Sequence, residues 1–139
     1  MNNRNVLSIV LGGILMFCAP AFAHHGTGSS YDSSKTITLT GVVTKFAWSN
    51  PHSQLYFDVT DDQGNVVHWG GEMSSPGVLA RAGWTRNRLK TGDKVTLIMH
   101  PSLVGTPVGV VQKVVFPDGT TACGNGCGGG DAGSSPTDK

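Results

Sequence analysis

The sequence has little charge, few aromatic rings and a single glutamate. Charged residues make up 14% of its 139 positions, and ten Lys and Arg face nine Asp and Glu with no block of like charge. A nucleic-acid surface needs a basic patch or stripe, so no nucleic-acid partner is expected. The lone glutamate, Glu72, forms no evident acid–base pair with Asp58, Asp61 or Asp62, and no Ser-His-Asp or Cys-His arrangement is signalled. The expectation is therefore a protein without catalytic residues. Long apolar runs are missing as well. The stretch Val6 to Phe17 is broken by Ser8 and by Gly12-Gly13, short of the about 20 unbroken residues that a membrane span requires.

What that stretch does resemble is an export signal. Arg4 supplies a positive start, the apolar segment follows, and Ala21-Phe22-Ala23 has the small-residue cleavage pattern. Residues 1–23 are read as a signal peptide, His24 as the first residue of the mature chain, and the periplasm as its destination. Cys18 has bulky Phe17 before it, which argues against a lipid anchor. Cys123 and Cys127 then remain as the only two cysteines of the mature chain. In an oxidising compartment their pairing is the default.

Composition divides the mature chain into three zones. Residues 24–34 (HHGTGSSYDSS) form a polar arm read as flexible, residues 35–121 carry periodic apolar runs, and residues 122–139 form a glycine-rich tail read as disordered. The period in the middle zone is two, which predicts strands. The first covers about residues 36–48, with Ile37, Leu39 and Val43 on one side, Phe46 and Trp48 on the other, and a bulge or bend expected at Gly41. The second places Leu55, Phe57 and Val59 inward. Asp61-Asp62-Gln63-Gly64-Asn65 is a hairpin turn, and the third strand, Val66 to Glu72, points Val67 and Trp69 to one side. Ser75-Pro76 opens a short helix that Gly83 ends. Strand four runs from Lys94 to His100, and strand five from Val108 to Phe116.

The order β-β-β-α-β-β predicts an all-β fold with one short helix, a five-stranded OB-like Greek-key barrel. An immunoglobulin-like sandwich would need about seven strands. The expected core is Ile37, Leu39, Val43, Leu55, Phe57, Val59, Val67, Trp69, Leu79, Val95, Leu97, Val110 and Val114, with Trp84 plugging one end.

Several short motifs lie along the mature chain: His24-His25 behind the signal, Leu39-Thr40-Gly41-Val42-Val43, Trp48-Ser49-Asn50-Pro51-His52, Leu79-Ala80-Arg81-Ala82-Gly83-Trp84, Gly92-Asp93-Lys94-Val95 and His100-Pro101. Together they resemble a family of small exported bacterial proteins of unknown function. The resemblance implies a periplasmic OB-like module and brings no catalytic or binding residues with it.

Two candidate sites come from the residues themselves. An N-terminal histidine offers its amine and imidazole Nδ1 to one metal, a nitrogen set suited to Cu(II). His25 adds an imidazole, and His52 or His100, each beside a proline at a strand end, would complete a copper site. A solvated histidine-rich terminus that traps metal adventitiously fits the same residues. The second site is a polar and aromatic face on strands one to three, built from Trp48, Asn50, Tyr56 and His68. Lys45 is the only basic residue between Thr44 and Glu72, so a sugar or peptide suits that face better than a nucleic acid. Trp48 as a cap on the barrel is the competing assignment. The partner is left as a periplasmic protein or a small ligand.

Overall fold

The computed structural model describes residues 30–126. Its elements are β1 (Ile37–Ala47), β2 (Gln54–Thr60), β3 (Val66–Glu72), α1 (Pro76–Arg81), β4 (Lys94–Pro101), β5 (Val108–Val115) and β6 (Thr121–Cys123). The sheet order is β3-β2-β1-β4-β5-β6, and a parallel β3–β5 pairing joins the two ends of the five-strand run. The result is a closed five-stranded barrel of the OB type with one extra strand. Closure leaves few free edges.

Alternation explains most of the core. Leu55, Phe57, Leu79, Leu97 and Val114 have no solvent exposure, and Val95 is buried with them; Val110, also expected inside, is buried outside this core cluster, because Val111 takes the inward position. Each such side chain contributes on the order of 1.5–3 kcal/mol by leaving water. Met73, Trp84, Leu89, Met99 and Val111 join them. Val67, expected inside, is 39% exposed. It lies near the start of β3, where β5 is not alongside: the β3–β5 pairing begins only at Gly70.

The change of face in β1 is not at Gly41. Val43 pairs with Phe57 and Phe46 with Leu55, and the register slips between Val43 and Lys45. The extra residue is Thr44, and the bulge brings Val43 and Phe46, three positions apart, onto the same inner side. Gly41 has a different role. A Cβ there would lie 2.7 Å from the Asp58 carbonyl oxygen and 2.8 Å from Phe57 Cδ2, so only glycine lets the strands approach. A second slip separates Lys113, paired with Ile98, from Val111, paired with Met99. The extra Gln112 likewise lets Val111 and Val114 both turn inward.

Trp84 closes one end of the barrel. It is 3% exposed, lies 5.8 Å from the rings of Phe46 and Phe116, and donates its indole N–H to the Cys123 carbonyl at 2.8 Å. Phe46 in turn meets Trp48 edge-on at 5.8 Å. Ser75 precedes α1 in extended conformation but makes no side-chain cap hydrogen bond.

Both expected zone boundaries shift. Residues 122 and 123 belong to β6 and Gly124 bonds to the Gln112 carbonyl, so ordered sheet continues past the expected start of the tail. Cys123 is disulfide-bonded; Cys127 and the rest of the tail lie outside the described residues. At the other end, Ser30 to Lys35 are docked rather than free. Tyr31 bridges Ser102, Asp32 N–H donates to the Pro101 carbonyl, and Leu103 N–H donates to the Ser30 carbonyl.

Candidate functional site

The face of β1–β3 carries a groove of about 680 Å³ lined by Lys45, Tyr56, Asp58, His68, Gly70 and Val108, among others. Its depth has a simple origin. Tyr56 stands opposite Gly70 in the β2–β3 register, and a residue without a side chain leaves the space beside the ring unfilled. Tyr56 is 41% exposed, and the Lys45 ammonium lies 5.9 Å from its ring centre. Asp58 stands opposite His68, whose Nδ1 is 2.6 Å from the Asp58 carboxylate. With that carboxylate as acceptor, Nδ1 is the nitrogen that carries the proton in this contact. An exposed ring face, a carboxylate, an imidazole and an ammonium can together hold a polyhydroxylated or peptide-like ligand. Of the four residues expected on this face, Tyr56 and His68 line the groove. Trp48 and Asn50 do not: Trp48 packs against the core beside Phe46, and Asn50 is exposed in the turn before β2.

The second region lies where the N-terminal segment docks. Glu72 at the end of β3 is in register with Val110 on β5, and Val110 with His100 on β4. Val110 alternates with inward Val111, yet it is only 7% exposed. The reason is the segment that crosses this rung. At one end the Tyr31 hydroxyl donates to Glu72 Oε2 at 3.1 Å, and at the other His100 Nδ1 donates to the Lys35 carbonyl at 2.7 Å. Burial, together with the Glu72 charge and hydrogen bond, pushes the Tyr31 phenol up to about 12. Tyr31 is thus a proton donor to Glu72 throughout the physiological range.

His52, in the loop before β2, reaches the same carboxylate. Its Nδ1 is 3.2 Å from Glu72 Oε1 and 3.3 Å from the Met73 carbonyl. The contact with Oε1 has ion-pair distance but not hydrogen-bond geometry, and Oε1 is buried without a hydrogen bond. Sequence reasoning missed Glu72 and Tyr31 as members of this cluster. Their only signal was that Glu72 is the sole glutamate; the partnership joins residues 41 positions apart.

His24 and His25 lie outside the described residues. His52 is linked to the docked segment only through Glu72 and Tyr31, whereas His100 bonds the Lys35 carbonyl directly. Among the described residues no three His, Cys, Asp or Glu side chains gather in a group that could hold a metal ion. Nor is any described helix long and apolar enough to cross a membrane.

Fold and site together define a small OB-type barrel with a surface groove and a docked N-terminal segment. The chain belongs to a family of unknown function, DUF6152, whose model matches residues 13–112. The match takes in β1 to β4, most of β5 and the segment that leads into them. No curated protein matches the chain.

Proposed function

We propose that this chain is an exported, non-enzymatic binding module that holds one Cu(II) at its mature N-terminus. In this reading the His24 amine and imidazole chelate the ion, His25 adds a second imidazole, and His52 is the barrel ligand, with His100 the alternative. The observation that carries it is the docking of Tyr31 on Glu72, the carboxylate that also contacts His52. From Tyr31 back to His24 the chain has seven steps, a reach of up to about 25 Å, so the terminus can return to either histidine. Export is supported by the signal-like residues 1–23 and by a disulfide at Cys123, a bond suited to the periplasm.

The test uses the exported protein. Its intact mass should begin at His24, and titration with Cu(II) should give one site whose affinity falls as pH drops through the imidazole range, because a protonated ring cannot coordinate. His24→Ala should weaken binding strongly. Retention of residues 1–23, or binding unchanged by His24→Ala, overturns the reading.

A second reading is favoured by the groove: a short oligosaccharide or peptide seated on Tyr56, with Asp58, His68 and Lys45 as polar partners. The volume lies within the range of small-ligand sites, roughly 300–1,000 Å³. A glycan and peptide screen on wild type and Tyr56→Ala decides it. Binding lost in the variant supports the groove, and equal absence of binding removes it.

A further inference from the structure

The hairpin of β2 and β3 reaches beyond the strands that flank it. On one side β1 pairs with β2 no farther than Asp58, and on the other β5 pairs with β3 only from Gly70 to Glu72. Val66 to Trp69 therefore have a free edge. Which groups that edge presents follows from the ladder. Asp61 N–H donates to the Asn65 carbonyl, and just past β3 Met73 N–H donates to the Ser53 carbonyl, so odd-numbered residues of β3 bond to β2 and even-numbered ones point away. Gly70 follows this rule and donates its N–H to the Pro107 carbonyl at 3.0 Å. One rung earlier the parallel ladder needs an N–H from residue 107 for the His68 carbonyl, and proline has none. The ladder stops there. The N–H and C=O groups of His68 and Val66 face outward, and among the described residues no strand pairs with them on that side. The edge is accessible, with Val66 51% and the His68 side chain 81% exposed. Residues 66–69 also include no lysine and no proline, the residues that commonly block such an edge.

The groove adjoins this edge. Lys45 stands opposite Tyr56, Tyr56 opposite Gly70, and Gly70 beside Val108, so one rung crosses the groove from the ammonium to the strand end where Pro107 stops the ladder. Asp58 is engaged by His68, whereas among the described residues no carboxylate lies within ion-pair distance of Lys45. A row of alternating backbone donors and acceptors matches an extended peptide: its main chain supplies affinity while alternate side chains enter pockets. We infer that the free edge of β3 and the groove form one site for an extended acidic peptide, which adds as a strand at Val66 to His68 and lays a glutamate side chain over Gly70. The missing side chain at Gly70 leaves the room. The glutamate methylenes cover the Tyr56 ring, and its carboxylate complements the Lys45 ammonium. This deepens the groove reading, on which it rests, by choosing peptide over sugar and adding the backbone of β3 to the site.

The experiment keeps the full mature chain and measures its affinity for short synthetic peptides of alternating valine and threonine, with one glutamate moved through every position. The best of these peptides is then N-methylated one amide at a time. Strand addition predicts a period of two: methylation of amides that face β3 weakens binding at least about tenfold, and methylation of those between them has little effect. Lys45→Glu should weaken the glutamate peptide about tenfold, and a lysine in place of the glutamate should restore binding to that variant. The exchange tests the charge contact without touching the core. N-methylation without the period of two, or affinity unchanged by Lys45→Glu, overturns the inference; if Tyr56→Ala still abolishes binding, the groove reading survives. Glycans that bind where every peptide fails overturn the inference and leave the groove as a sugar site. Absence of binding by both classes removes the groove reading as well. A dimer of the free protein that pairs the β3 edges of two copies also overturns the inference, since the edge is then filled by the chain itself.

Discussion

The barrel carries two imidazole–carboxylate pairs, and they differ in everything but chemistry. His68 and Asp58 face each other across two strands on the open groove, with the imidazole 81% exposed and the contact short. His52, in the loop before β2, meets Glu72 at the end of β3, where Tyr31 docks, with the carboxylate nearly buried and the contact long. The first pair is adequately solvated, and a pair so exposed is worth about 0–1 kcal/mol. The second holds a largely buried carboxylate between the His52 imidazole and the Tyr31 hydroxyl, where screening by water is weak. Burial, more than residue identity, separates the two pairs.

Both regions rest on one core, and the comparison breaks first if that core is misread. Leu97 on β4 is fully buried opposite Leu39. Leu97→Ala should cost about 2–5 kcal/mol by chemical denaturation; a cost within about 0.5 kcal/mol, typical of surface changes, would show that the strand register is wrong. Two adjacent glycines of β3 sharpen the contrast next. A Cβ on Gly71 would meet Val111 Cγ2 at 2.6 Å, whereas on Gly70 it would meet Val108 at an ordinary 3.4 Å. Gly71→Ala should therefore destabilise by about 1–3 kcal/mol through overpacking. Gly70→Ala should leave stability nearly unchanged and act only on ligand binding in the groove, read in the same screen as Tyr56→Ala.

Removal of single polar groups from the two pairs gives smaller effects of unequal size. Tyr31→Phe deletes the donor to Glu72 Oε2 and should cost about 1–2 kcal/mol, since a buried acceptor loses its partner. His68→Ala, on the exposed face, should change the denaturation midpoint by less than about 0.5 kcal/mol. Equal costs for the two variants would erase the distinction drawn between the regions. The last contrast is in alkali. The folded protein holds the Tyr31 proton up to about 12, against an ordinary value of 10.0. The associated stabilisation is fully present below pH 10 and is lost as pH rises from there through 12. Urea midpoints should fall over that interval, and fall less in Tyr31→Phe.

The legible part of the candidate sites follows the same division. Tyr56 and His68 were readable as neighbours on one face because they lie on strands joined by a hairpin, where alternation and turn fix which residues meet. Trp48 was grouped with them because it was expected on the side of β1 opposite Ile37, Leu39 and Val43. With the extra residue at Thr44, Phe46 turns inward and Trp48 packs beside it. Glu72 was noticed only as an isolated acid that paired with nothing nearby in sequence. Its partners come from the segment before β1 and the loop before β2, and no local period encodes them.

The sequence by itself determined the strand order, the helix between β3 and β4, the hairpin at Asp61 to Asn65 and most of the inward positions. These depend on side-chain period, proline and glycine, all of which act within a few residues. Only the tertiary structure decided where the strands bulge, that residues 30–35 cross the rung Glu72–Val110–His100, that the sheet runs on into β6, and that Glu72 is buried with an oxygen to spare. Each of these is a register between segments tens of residues apart, chosen by how whole faces pack and not by any preference of the residues that meet.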